Sequence, residues 1–260
     1  GSNSTVNIYN NLIGDLRATV ATNDEAVTGI RSTASNTNCF LNIYYNTVYL
    51  NATSPGTNFG SSGIRVISSA VATTTSLDLR NNIIINTSTS NGTGKTTAFR
   101  RNGTTLGNFA NTSNNNIFDA GIPSVRNLIF FDGTNSDQTL ATYQTRVAPR
   151  DAASFTEMPP FISIIGSSPD FLHLDPASAT QAENGAVNIA GYTDDFDGVI
   201  RQGNAGYGGS GTAPDIGADE IGANDDDAGV LAILPEMPFA RGIQDVKAIV
   251  RNYGGNTITS

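Results

Sequence analysis

Cysteine is nearly absent from the sequence: Cys39 stands alone. No internal disulfide is therefore possible, and a lone thiol with the only histidine, His173, far away in sequence does not make a thiol–imidazole pair. Cys39 opens an apolar strand pattern and is expected to be a buried structural residue. Lysine is almost as scarce, with Lys95 and Lys247 alone. The chain carries a net charge of −9, so the clustered cations that phosphate backbones require are missing and a nucleic-acid partner is excluded. No apolar run approaches the ~18 residues of a membrane-spanning helix. No 3.6-residue periodicity with capping signals stands out, so helices are not expected. Only 14% of residues are charged, against 38% hydrophobic, and Asn, Thr, Ser and Gly abound. That balance fits an all-β protein.

What is present is a repeat. Leu77-Asp78-Leu79-Arg80-Asn81-Asn82-Ile83-Ile84-Ile85-Asn86 has earlier copies at Leu41–Leu50 and Val6–Ile13, and a weaker one at Asn114–Asp119. The aligned asparagines are Asn11, Asn46, Asn82 and Asn116, at steps of 35, 36 and 34 residues. A period of this size signals stacked structural units. Each copy begins with period-two alternation, as in Leu41/Ile43 and Leu77/Leu79, which predicts a strand with one buried face. The asparagines suit a tight left-handed bend between strands, and stacked at the ~4.8 Å strand spacing their amides would bond along the column. A second column reads Gly29-Ile30-Arg31, Gly63-Ile64-Arg65 and Ala98-Phe99-Arg100. Three short strands per repeat, joined by Ser/Thr/Gly/Asn-rich connections, predict a parallel β-helix over residues 1–222. Residues 127–131 should extend the second column. Residues 132–158 read as irregular, and 159–165 and 170–174 as two further coil strands.

These repeats resemble the right-handed parallel β-helix proteins of the pectin-lyase-like superfamily. Asp195-x-Asp197-Gly198-x-x-Arg201 followed by Asp215-Ile216-Gly217-Ala218-x-Glu220 resembles the C-terminal end of many bacterial secreted β-helix proteins. After an acidic linker at 223–228, strand patterns return over 229–260 (Val230–Ile233, Val246–Val250, Thr257–Thr259) and resemble the start of an adhesion-related immunoglobulin-like domain. A complete sandwich needs ~100 residues, so further domains of a parent chain are expected. The combination resembles multidomain surface proteins of Bacteroidetes-type bacteria, many of them exported by type IX secretion. The resemblance thus implies an extracellular module, secreted or on the cell surface.

Two clusters are candidates for chemistry. Stacked Arg31, Arg65 and Arg100, with Arg101 beside them, would form a basic stripe suited to an anionic polysaccharide or cell-surface glycan, unless loop acids such as Asp24, Glu25 or Asp78 pair with them. Asp195, Asp197, Asp215 and Asp219 offer oxygens for Ca2+, although Gly198 follows too soon for an EF-hand loop; the alternative is a hydrogen-bonded cap around Arg201. No set of acids lies on the Gly-Ile-Arg strands, Asp132 being the nearest, and His173 reads as a wall residue. The expected function is a non-catalytic structural or adhesive module. A polysaccharide lyase or glycoside hydrolase and a purely architectural filament segment are the alternatives.

Overall fold

The computed structural model describes residues 3–34, 36–68, 70–71, 75–209, 211–221, 228–234 and 247–252. Eleven strands build the wall of a parallel β-solenoid: β1 (Thr5–Tyr9), β2 (Leu12–Gly14), β3 (Val27–Ser32), β4 (Phe40–Tyr44), β5 (Thr47–Leu50), β6 (Ser61–Val66), β7 (Ser76–Arg80), β8 (Ile83–Asn86), β9 (Thr96–Arg101), β10 (Ile117–Asp119) and β11 (Asn127–Phe131). They stack into three sheets, β1-β4-β7, β2-β5-β8-β10 and β3-β6-β9-β11, every pair parallel. The register follows the sequence repeat: Ile8 pairs with Ile43 and Ile43 with Leu79, while Ile30, Ile64, Phe99 and Phe130 form one column. Alternation sends Leu41, Ile43, Leu77 and Leu79 into the shared core, where each is at most 2% exposed. Gly29 and Gly63 let the third sheet approach the second, since a Cβ there would come within 2.5 Å of Val48 Cγ1 and 2.6 Å of Ile84 Cγ2. Cys39 is buried, as expected, with its Sγ 3.3 Å from Ser4 Oγ.

The asparagines stack. Asn11 Nδ2 donates to Asn46 Oδ1 (2.7 Å), Asn46 to Asn82 (3.0 Å), Asn82 to Asn116 (3.0 Å), and Asn116 to Asp151 Oδ1 (2.8 Å). Each rung's backbone N–H also donates to the next rung's Oδ1, at 3.3, 3.0 and 3.0 Å for Asn11, Asn46 and Asn82. The left-handed bend itself belongs to the residue before each rung: Asn10 (φ 52°), Tyr45 (φ 53°), Asn81 (φ 59°) and Asn115 (φ 57°). The rung asparagine serves through its amide, which satisfies buried carbonyls that a turn would otherwise orphan. Asp151 ends the ladder, one period after Asn116.

The far end of the core is aromatic. Phe99 lies 5.5 Å from Phe130, and Phe130 5.0 Å from Tyr143. Tyr143 and Val147 come from a helix, α1 (Leu140–Val147), preceded by β12 (Ser136–Asp137), which pairs antiparallel with β11. This corrects the expectation of irregular chain at 132–158. Thr139 caps the helix, its side chain accepting the Thr142 N–H (3.4 Å). A single i, i+4 pair of apolar anchors on a short polar helix leaves little periodic trace in sequence.

Residues 159–174 are not coil strands. They form isolated bridges, Phe161 with Leu174 and Ser163 with Phe171. Residues 159–209 and 211–221 instead make a strap across the outer face of the second sheet. Leu172, Leu174, Ala182, Ala186, Ile189 and Ile216 pack there against Tyr45, Tyr49, Ile83, Ile85 and Ile117. Strands β5 and β8 are consequently buried on both faces. Downstream, β13 (Ala228–Leu234) and β14 (Lys247–Asn252) pair antiparallel, matching the strand patterns expected there, with Ala228 already in strand. The patterns at Val246 and Thr257–Thr259 and the linker at 223–227 lie outside the described residues. No helix among the described residues is long and apolar enough to cross a membrane.

Candidate functional site: three outer faces of the solenoid

The outer face of the third sheet carries the arginine column, with Arg31 beside Arg65, Arg65 beside Arg100, and Arg100 beside Phe131. Loop acids answer two of these charges. Glu25 pairs with Arg65, and Asp24 Oδ2 lies 2.9 Å from Arg100 Nη2. Arg100 also sits 4.9 Å from the Phe131 ring centroid. Burial, and then the neighbouring Arg100 charge, push the Arg65 pKa down to about 10. Arg101 leaves the column altogether. It is 1% exposed, lies over the Phe109 ring (5.2 Å) and donates from Nη2 to Asn108 Oδ1 (2.8 Å). Arg31 remains exposed beside a groove of about 310 Å³ lined by Val6, Ile8 and Phe40. Four arginines in sequence thus yield one exposed cation. Asp132 is a turn former, its Oδ1 accepting the N–H groups of Thr134 (2.9 Å) and Asn135 (2.7 Å).

The strap over the second sheet holds the acids. Arg201, fully buried, lies 4.2 Å from the Tyr45 ring centroid. It bonds Glu220 Oε2 (3.2 Å), the carbonyls of Asp194 (3.1 Å) and Gly217 (3.0 Å), and Asn10 Oδ1 (3.2 Å). Asp195 accepts the N–H groups of Asp197 (2.9 Å), Val199 (2.8 Å) and Glu220 (3.0 Å); Asp215 accepts those of Asn184 (2.6 Å) and Ile221 (2.7 Å). Their oxygens accept backbone amides, and among the described residues the ligand atoms that converge are those of Asp197 and Asp219 with His173, not those of Asp195 and Asp215. Burial nevertheless raises the Asp215 pKa to about 8, with the Glu220 charge adding to it. Gly217 (φ 102°) donates its N–H to the Asn81 carbonyl (2.9 Å), and a Cβ there would meet Ile83 Cδ1 at 2.7 Å. This is the cap around Arg201, and it closes the side of the solenoid rather than its end.

The two remaining aspartates take different company. Asp197 and Asp219 converge with His173, one ligand atom from each lying within 4.8 Å of the others. His173 Nε2 is 2.6 Å from Asp197 Oδ2, and Asp219 Oδ2 accepts the Leu174 N–H (2.7 Å). The hydrogen bond to Asp197 is the chief cause that lifts the His173 pKa to about 9, and burial lifts Asp219 to about 6. His173 is therefore no bland wall residue.

The outer face of the first sheet is open at its Tyr9 and Phe40 end, while Tyr44 is 4% exposed. Tyr9, Tyr44 and Arg80 occupy one register column, and Asn7, Asn42 and Asp78 the next. Tyr192 reaches over from the strap and stands edge-on to Tyr9 (5.0 Å, 82°) and Tyr44 (5.1 Å, 90°). Tyr44 Oη donates to Asp78 Oδ2 (2.8 Å), Arg80 pairs with Asp78 and lies over the Tyr44 ring, and Asn42 Nδ2 donates to Asn7 Oδ1 (2.9 Å). Tyr9 and Phe40, at 46% and 52% exposure, are the large side chains it shows to water. Sequence reasoning passed over this face, although position two before each rung reads Tyr, Tyr, Arg at the repeat period. Comparison of the chain with protein-family models, with curated proteins and with solved structures yields no match.

Proposed function

We propose that the chain is a non-catalytic adhesive module of a large secreted or surface protein, and that it holds glycan on the open outer face of the first sheet. The observation that carries this reading is the fate of the three faces. The strap covers one, Asp24 and Glu25 neutralise most of another, and the third keeps the Tyr9 and Phe40 rings exposed beside the Asn7 and Asn42 amides. Aromatic rings give broad apolar contact for the C–H faces of sugars, while Asn7 and Asn42 offer partners for hydroxyls. Equivalent groups recur about every 4.8 Å along the stack, so an extended polymer can meet the same chemistry more than once. With net charge −9 and the arginine column largely answered from within, a neutral glycan suits the face better than a polyanion. The extracellular, bacterial setting rests on the resemblance of the Asp195–Arg201 and Asp215–Glu220 motifs.

Glycan-array screening of the whole chain, followed by calorimetric titration of the best binder, tests the reading. Tyr9→Ala should weaken binding about tenfold, the worth of one aromatic contact, and Arg31→Ala should leave it unchanged. Absence of any bound glycan points to an architectural segment. Loss on Arg31→Ala with Tyr9→Ala unaffected moves the surface to the arginine column.

A further inference from the structure

We propose that His173, Asp197 and Asp219 bind a divalent first-row transition cation, of the zinc type, which ties together three segments of the strap. This is independent of the glycan face. The three residues come from separate stretches: the turn at 170–174, where Leu172 is left-handed (φ 57°), the Asp194–Ile200 bridge, and the terminal stretch 215–220. Asp219, 7% exposed, is held in place by the Leu174 N–H on one oxygen. On His173, Nε2 meets Asp197 while Nδ1 is shut off from solvent and has no hydrogen-bond partner among the described residues. A buried ring nitrogen left unserved is costly, and it marks this imidazole as under-used by the protein itself. Asp197 is half exposed, which leaves an open side for water to complete a coordination sphere.

The donor set selects the metal. One imidazole with two carboxylates suits zinc and its neighbours, whereas calcium prefers six to eight oxygens. With metal–ligand bonds of about 2.0–2.2 Å, ligand atoms sit roughly 3 Å apart or more. Cation entry therefore replaces the His173–Asp197 hydrogen bond and widens that pair by a few tenths of an ångström. Two of these segments also hold Arg201, through the Asp194 and Gly217 carbonyls and Glu220, so a bound cation would tie the 170–174 turn to them.

Calorimetric titration of the whole chain with Zn2+, Ca2+ and Mg2+, paired with thermal unfolding in each ion, decides the matter. The expected result is one Zn2+ per chain with a raised Tm, and no comparable effect of Ca2+. Asp197→Asn, chosen because Asp197 is exposed, should abolish the Zn2+-dependent rise in Tm and weaken Zn2+ binding at least about tenfold; His173→Gln should do the same to binding. Zn2+ binding that survives both substitutions, Ca2+ binding as tight as Zn2+, or no binding at all overturns the proposal.

Discussion

The wall and the strap of this molecule are held together by different means. In the wall, each coil repeats the one before, so backbone ladders, the core columns and the Asn11-Asn46-Asn82-Asn116 amides all propagate along one axis. In the strap nothing repeats. Among the described residues of the strap the backbone makes isolated bridges and scattered backbone bonds, and the carboxylates of Asp195, Asp215, Asp219 and Glu220 answer several further amides. A stacked coil distributes its polar satisfaction over many equivalent bonds. The strap concentrates it in a few buried acids around Arg201, and loss of any one should be felt locally and strongly.

The sharpest way to break the strap is Arg201→Met. It leaves Glu220 buried without its cation and should cost about 3–5 kcal/mol in urea unfolding, with the wall strands keeping their hydrogen-exchange protection. Within the wall, Asn82→Ala removes a fully buried rung that donates to Ile43 O, Arg80 O and Asn116 Oδ1 and accepts from Asn46. A loss of about 3 kcal/mol is expected there, against about 1 kcal/mol for Asn11→Ala at the part-exposed end of the ladder. Equal costs at both rungs would contradict the ladder's role as a buried device.

A pH-dependent effect concerns Asp151, where the ladder meets an acid. Its carboxylate accepts from Asn116, Ser154 (2.7 Å) and Tyr143 (2.6 Å), yet complete burial pushes its pKa up to about 6. The folded state thus holds this proton more tightly than the unfolded chain, whose aspartate titrates near ~3.9. The resulting stabilisation is present below about pH 4 and is lost as pH rises through about 6. Asp151→Asn should remove that loss. Relative to the parent, the variant's stability should improve by on the order of 2 kcal/mol between pH 4 and pH 7 in urea titrations at the two pH values. A constant difference across that range would show that burial is not what sets this group's titration.

The wall was legible because its signal is written several times over. Asn11, Asn46, Asn82 and Asn116, and Ile30, Ile64 and Phe99, each announce a column, and residues 127–131 extend it as expected. Where a single residue decided, legibility failed. The left-handed position lies one residue before the rung, because even Tyr45 takes that conformation when the next amide secures the bend. Arg101 follows Arg100 in sequence but turns into the core, since neighbouring positions on a strand face different ways. The strap left no period to find. Its one trace is Ile83-Ile84-Ile85, an unbroken apolar run that calls for burial on both faces and hence for a cover over the second sheet. His173 could be placed only by folding, because Asp197 and Asp219 reach it from later segments.

The covering of the second sheet is tested most directly by hydroxyl-radical footprinting of the intact chain, read at tyrosine and phenylalanine side chains. Tyr9 and Phe40, on the open first sheet, should oxidise fast. Tyr45 and Tyr49 lie outside the wall but beneath the strap, with Tyr45 Oη bonded to the Val187 carbonyl (2.7 Å) and Tyr49 edge-on to Phe161 (5.9 Å), and should be protected. Oxidation of Tyr45 and Tyr49 at the rate of Tyr9 would contradict the account.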